Sequence, residues 1–366
     1  MSSPTLESSL FDFLRQQYLD SDAKKKNPEF DILTGAEHVF NNSIDVSLNL
    51  HGVKKAASSI YSQMQAKDYC TKKWLEHELH PKAKDESTVN FIFTLSLINF
   101  SVWLDLPNDE QFSIDYKGKT WTGYCSLVAA LQRALDEGIP ITSQSFWIDE
   151  EKCTDDVLKH VFRSAAGEDI PLFQERVNFL REAGKIINEK YNGSFLGCIK
   201  AAEHSAIKLV NLLAYDFPCF DDVFSFEEKD NIRFMMRAQT CVAYLWDAFD
   251  GEDYGCFQDI NKIVTSADYR IPQALNNLGC MSYSPPLENA IRTKKMIKSG
   301  HSWEIQIRGC SVWCIELIRR EIAKFCPESE SNSMLVEIFL RDIYTFWEAQ
   351  DQPFTLPHHR TRSVWY

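Results

Sequence analysis

The stretch Gly255–Gly279, GCFQDINKIVTSADYRIPQALNNLG, sets two carboxylates, a tyrosine and an arginine into a segment otherwise apolar enough to enter a core. Ile271 precedes Pro272, so its backbone is biased away from the α region, and Pro272 suits the first position of a new helix. The predicted helix runs from Pro272 to Leu278 and meets Gly279, which suits a left-handed cap. Ser284-Pro285-Pro286 then marks another start, so the chain from 272 to 298 reads as a helix, a tight turn and a helix, with Asp268 at the entrance. Asp268 has two readings. It caps the helix or pairs with Arg270, as most such aspartates do; or it is a carboxylate kept from water beside aromatic residues, as an enzyme places near a developing positive charge. Asp259 lies nine residues earlier. That is about two and a half helical turns, so a shared site requires a break between the two acids, near Ser266.

Helical periodicity extends outward from this segment. Val177, Leu180, Ala183 and Ile187 recur at steps of three and four between Glu175 and Lys190, with Gly193 as a stop signal. Ala206, Leu209, Val210 and Leu213 repeat the pattern before Pro218; a third apolar run spans Ile232–Phe249, and a fourth, marked by Cys314, Leu317, Ile318, Ile322 and Phe325, ends near Pro327. The clearest β signal is Phe112–Thr122, where Phe112, Ile114 and Tyr116 alternate with polar residues and Lys117-Gly118 supplies a turn. No alternation of strands and helices builds a parallel sheet, and no glycine-rich phosphate loop occurs. The fold expected is mainly α with a minor antiparallel hairpin, and Pro327–Ser333 reads as an exposed loop between the last two helices.

The 366 residues are 44% hydrophobic, enough for a large core, and the formal net charge of −13 gives a nucleic-acid backbone little to hold. Lys24-Lys25-Lys26 reads as a solvated face. The eleven cysteines show no zinc-type spacing and read as reduced and mostly buried. With no apolar run long enough to span a bilayer and no leader pattern, the expected location is the cytoplasm, with the nucleus as an alternative.

Several long motifs then occur in one order: His77-Glu-Leu-His-Pro, Leu97-Ile-Asn-Phe, Tyr116-Lys-Gly-Lys-Thr through Gly123-Tyr, Arg133-Ala-Leu-Asp-Glu-Gly-Ile-Pro, Gly193-Ser-Phe-Leu, Arg237-Ala-Gln, Ala267-Asp-Tyr-Arg-Ile-Pro-Gln, Ile307-Arg-Gly-Cys-Ser and His359-Arg-Thr-Arg. Together they resemble the queuosine salvage protein family, over nearly the whole chain beyond the first forty or so residues. The resemblance implies a single compact helical domain, similar to the helix-hairpin-helix DNA glycosylases, over residues 41–366 behind a partly ordered extension, 1–40. It implies no metal or organic cofactor. The implied reaction is hydrolysis of the bond between the 7-deazaguanine-type base and the ribose of queuosine 5′-monophosphate, giving queuine and ribose 5-phosphate. The partners expected are these small molecules, with neither direct tRNA binding nor a membrane; the alternative is a noncatalytic binder of queuosine-containing tRNA or of free queuine.

Residue by residue, the resemblance makes Asp268 the catalytic carboxylate. Asp222, Asp259 and Tyr269 become members of a base pocket, and Asp222 reads equally as a solvated loop acid. His77, Arg237 and Arg270, with Arg308 behind them, become candidate phosphate ligands; His77 reads as well as a structural histidine and Arg237 as a core ion-pair partner. Asn99 and Tyr124 read equally as polar bracing, and Asp342, beside Tyr344 and Trp347 on the last helix, joins the substrate set. The chain departs from the family pattern at Ser96 and Met236, where an acid and a base are expected, and at Cys125, where a tryptophan is expected.

Overall fold

Two helices with apolar residues on every face organise the protein. In the computed structural model, which describes residues 32–66, 73–103, 111–264, 268–325, 333–350 and 354–366, these are α3 (Glu86–Ile98) and α10 (Ser302–Ile322). Ten consecutive residues of α3, from Val89 to Ile98, include only Asn90 outside the buried class, so no side of this helix is free for water. Asp85 starts it by accepting from the Ser87 N–H at 2.9 Å.

The elements run in chain order as α1 (Ile32–Asn41), β1 (Val46–Leu48), α2 (Leu50–Ala66), α3, β2 (Ser113–Tyr116), β3 (Lys119–Thr122), α4 (Gly123–Asp136), α5 (Phe173–Lys190), α6 (Ala206–Asp216), β4 (Val223–Phe226), β5 (Lys229–Arg233), α7 (Met236–Ala248), α8 (Arg270–Asn277), β6 (Met281–Tyr283), α9 (Pro285–Arg292), α10 and α11 (Ser333–Ala349), with shorter helical turns between. The described strands form three two-stranded antiparallel pairs, β1–β6, β2–β3 and β4–β5. β2–β3 is the hairpin expected near 112–122, with Ile114 opposite Trp121 and Gly118 at φ +75° in the turn. α10 packs along α1, α2, α8 and α11, and the core it anchors joins Val53 and Ile60, Ile271 and Leu275, Leu287 and Ile291, and Phe339 and Leu340. No described helix is long and apolar enough to cross a membrane.

Several boundaries differ from the sequence reading. The helix at the opening stretch starts at Arg270, so Pro272 is its third residue rather than its first. Pro272 is tolerated there because the first four N–H groups of a helix lack an intrahelical acceptor in any case. Gly279 takes φ +69° as expected, and Ser284 precedes the Pro-initiated α9, but the link between the two helices also carries β6, which pairs with β1. The run Ile232–Phe249 is not one helix: Ile232 sits in β5 opposite Phe224, and the chain turns at Met235, φ +45°, before α7. An uninterrupted apolar run looks alike in a buried strand and a buried helix. The suggested break near Ser266 and most of the Ser/Glu-rich loop lie outside the described residues.

Close helix packing rests on Gly309 of α10, where a Cβ would stand 2.5 Å from Cγ1 and 2.6 Å from Cβ of Val39 on α1. Gly309→Ala is therefore expected to lower the unfolding free energy by about 1–3 kcal/mol, and Val39→Ala on the same chain to recover part of it. Urea denaturation of the single and double variants checks this; an unchanged Gly309→Ala midpoint would contradict the close crossing.

Candidate active site

A cavity of about 370 Å³ lies where four segments meet: the end of α3 with Asn99–Val102, one face of α7, the entry to α8 and one face of α11. Tyr124, the second residue of α4, and Tyr366 complete its wall. The size falls within the range of small-molecule sites.

Asp268 reaches this cavity and is 8% exposed. One oxygen, Oδ1, accepts from the backbone N–H groups of Arg270 at 2.8 Å and Ile271 at 3.1 Å, and so caps α8. The other, Oδ2, accepts from Nη1 of Arg341 on α11 at 2.8 Å. Burial works to raise the carboxyl's pKa, but the Arg341 guanidinium and the Ile271 N–H more than offset it, so Asp268 titrates below the usual carboxylate range. At neutral pH the cavity therefore holds a fixed anion. Arg341 in turn is tied to Glu337, one turn back on α11, at 2.7 Å.

Beside this pair, the Arg270 guanidinium lies 4.9 Å from the centre of the Tyr344 ring. Tyr269 packs its ring 4.7 Å from that of His358. Burial raises the pKa of Tyr269 and pushes Tyr344 up to about 12, against the pull of Arg270, so both phenols stay neutral. Asp342 also faces the cavity. Of the residues proposed from the sequence, Asp268, Tyr269, Arg270 and Asp342 are thus brought together, with Asn99 and Tyr124 on the same cavity wall.

The others are used elsewhere. Asp222 forms a two-pronged ion pair with Arg308, through Oδ1 at 3.1 Å and through Oδ2, and Arg308 also meets Glu304 at 3.3 Å; neither Asp222 nor Arg308 lines the cavity. Asp259 accepts from Ser205 Oγ at 2.8 Å and from the Ala206 N–H at 2.6 Å, which makes it a cap for α6 rather than a partner of Asp268 across the cavity. His77 accepts the Leu79 N–H at Nδ1, 3.2 Å, and turns Nε2 to the Cys125 sulfur at 3.5 Å. Arg237 donates to the carbonyls of Ser96 at 3.1 Å, Leu97 at 2.6 Å and Cys219. With Arg176, which donates to the Ile98 and Phe100 carbonyls, it satisfies the carbonyls at the buried end of α3. These arginines fix the Asn99–Val102 wall from behind.

The carboxy-terminal segment joins two walls. Thr355 N–H bonds to Asn277 Oδ1 at 3.1 Å on α8, and Arg362 donates to the Ser101 and Trp103 carbonyls at 3.2 and 2.8 Å. Behind Tyr124, His80 lies between the rings of Trp74, 3.8 Å away, and His77, 4.3 Å away. Its Nδ1 meets the Trp74 carbonyl at 3.2 Å and its Nε2 the Tyr124 hydroxyl at 2.8 Å. Burial lowers its pKa to about 3. Among the described residues no cluster of His, Cys, Asp or Glu is arranged to hold a metal ion.

Sequence reasoning missed Arg341, Glu337, Tyr244 and Gln239, all of which line the cavity. The available signal was Glu337 and Arg341 four apart, an order that favours an ion pair on one helix face, in line with Tyr344 a turn further on. Of the three departures from the expected pattern, only Met236 lies on the cavity wall. Ser96 turns its hydroxyl back to the Ile92 carbonyl at 2.8 Å.

An enclosed anion, neutral phenols and two guanidiniums in a small helical cavity define a site for a small polar ligand. The chain belongs to the queuosine salvage protein family, whose model matches residues 79–366. It is 38% identical over 348 residues to a Schizosaccharomyces pombe protein named "Queuosine 5'-phosphate N-glycosylase/hydrolase", with 92% of this chain and 99% of that one covered. Proteins of the same name from Bos taurus and Sphaerobacter thermophilus are 39% and 34% identical, over 90% and 85% of this chain and 97% and 91% of their own.

The buried histidine behind Tyr124 has a consequence for stability. His80 is neutral in the folded protein down to about pH 3, whereas in the unfolded chain it takes up a proton below about pH 6.5. The unfolded state then binds more protons, so its share of stability falls with pH across that window, by about 1.4 kcal/mol per pH unit. Urea denaturation of the wild type and of His80→Gln at pH 7.5 and 5.5 is expected to show the larger acid loss in the wild type; equal losses would contradict it.

Proposed function

We propose that this chain hydrolyses the N-glycosidic bond of queuosine 5′-phosphate, releasing queuine and ribose 5-phosphate, in the cavity around Asp268. The observation that carries this reading is the placement of an ionised, nearly enclosed carboxylate in a nucleotide-sized cavity, in a chain whose relatives bear the name of that activity.

Breaking an N-glycosidic bond leaves positive, oxocarbenium character on the sugar, and an anion fixed beside C1′ lowers the barrier without reorganising. The hydrogen bonds to Asp268 make it a weak base, because each is strongest to the ionised form. Its role is accordingly electrostatic: it steadies the developing cation and orients the attacking water, whose hydroxyl bonds to C1′ as the base nitrogen leaves, and the proton the water gives up to solvent is balanced by the one the departing base takes up. Arg341 is committed to Asp268 and Glu337, which leaves Arg270, backed by Tyr344, to meet the 5′-phosphate. Tyr269 supplies a flat wall for base or sugar, and Asp342 an acceptor for a donor-rich base. The net charge of −13 favours a nucleotide over a tRNA backbone as the ligand.

Asp268→Asn preserves the size of the side chain and can still cap α8, but removes the charge. Turnover of queuosine 5′-phosphate is expected to fall by about a hundredfold or more, with the thermal transition still cooperative. Chromatographic detection of released queuine checks this. Turnover by a folded Asp268→Asn protein at the wild-type rate would sink the assignment.

A further inference from the structure

We propose that Tyr124 is a specificity-determining residue of the cavity, a hydroxyl that His80 holds as a hydrogen-bond acceptor toward the ligand, so that it takes an N–H or O–H donor of the bound nucleotide. The direction of the hydrogen bonds follows from the one group in the chain that has no choice. The Trp74 carbonyl can only accept, so the His80 nitrogen 3.2 Å from it, Nδ1, carries the proton. The neutral ring then has a lone pair at Nε2, and the Tyr124 hydroxyl 2.8 Å away must donate to it. With that proton spent, the Tyr124 oxygen has only lone pairs to offer; the neighbouring Tyr244 hydroxyl takes one, and the other is left for the cavity that both tyrosines line.

The surroundings keep this order from reversing. His80 is 8% exposed and stacked between Trp74 and His77, with Trp74 itself 1% exposed, so the ring is held in one plane, and turning it over within that plane would put carbon atoms against the Trp74 carbonyl and the Tyr124 hydroxyl and break both hydrogen bonds. Protonating the ring would open the alternative in which Nε2 donates, and burial opposes that down to about pH 3. Trp74 is anchored in turn: its N–H donates to Asp247 Oδ2 at 2.7 Å and its indole Nε1 to the Pro81 carbonyl at 3.0 Å. Tyr124 touches the ligand in this account; His80 is a positioning residue that acts through it.

The inference rests on the queuosine 5′-phosphate reading and adds to it a statement about polarity. A phosphate monoester is mostly the dianion at neutral pH and in that form has no proton to give, so Tyr124 does not hold the phosphate. The donors of that nucleotide are the ribose hydroxyls, the amino and ring N–H groups of the base, and the amine and diol of its cyclopentene side group. One of these faces Tyr124.

Steady-state hydrolysis of queuosine 5′-phosphate by the wild type, Tyr124→Phe, His80→Leu, His80→Gln and the Tyr124→Phe/His80→Leu double variant tests this. Tyr124→Phe is expected to raise KM about tenfold and to lower kcat by a smaller factor, the size of one lost hydrogen bond. His80→Leu should raise KM comparably, and the double variant no further than Tyr124→Phe alone, because His80 acts only through the hydroxyl. His80→Gln, which keeps an acceptor for the Tyr124 proton, should restore most of the loss; a residue of purely structural value would not give this split. If His80→Leu does not fold, Tyr124→Phe and His80→Gln carry the test. An unchanged KM for Tyr124→Phe, or multiplicative effects in the double variant, would overturn this inference alone. A folded wild type that releases no base would overturn the parent reading and this one with it.

Discussion

The ion pair between Asp268 and Arg341 is the contact on which the cavity depends. It ties the first turn of α8 to α11 across 73 residues of chain. Asp268 loses hydration on burial while Arg341 stays partly exposed, and the pair is tolerable because Asp268 also receives two backbone N–H groups and Arg341 also meets Glu337. Taking Arg341 away would leave Asp268 enclosed without its cation, whereas taking Asp268 away would leave the half-buried Arg341 with Glu337. The carboxylate is thus held in place by the interactions that keep it ionised. A helix cap and an electrostatic catalyst are commonly treated as rival explanations of an aspartate. Here they use different lone pairs of one side chain: the capping bonds fix Oδ1, and the ion pair fixes Oδ2 at the cavity.

Buried charge serves the same end in the surrounding walls. Arg237 and Arg176 close the carboxyl end of α3, so that Asn99–Val102 present a fixed surface. Asp222, Arg308 and Glu304 form a network beneath Tyr366, whose ring lies 4.7 Å from the Arg308 guanidinium. The segment bearing Arg362 links the α3 end to α8. None of these groups needs to touch a ligand to matter, since a site that works by electrostatics gains from dipoles and charges that do not move when the reaction occurs.

How much of this was legible in the sequence depended on how far each interaction reaches along the chain. The helix after Asp268, the left-handed Gly279 and the Lys117-Gly118 hairpin depend on neighbours a few residues away, and their signals were strong. α8 starts two residues before Pro272 because the bias at Ile271 yields to the Asp268 cap. Asp222, Arg237 and Asp259 are polar residues in apolar surroundings, and sequence alone does not say whether such a residue faces a ligand or a partner. Their partners lie 86, 140 and 54 residues away. Arg341 is hidden for the same reason: its i,i+4 partner Glu337 suggests a surface pair, and only the fold brings Asp268 to it. Asp259 and Asp268, joined in the opening stretch by sequence, serve different helices.

The most direct test of the account is the crystal structure of the Asp268→Asn protein with queuosine 5′-phosphate bound. The predicted result places C1′ of the ribose against residue 268, with the phosphate toward Arg270 and away from Tyr124. A nucleotide bound outside this cavity, or inside it with the base–sugar bond remote from residue 268, would contradict the central claim.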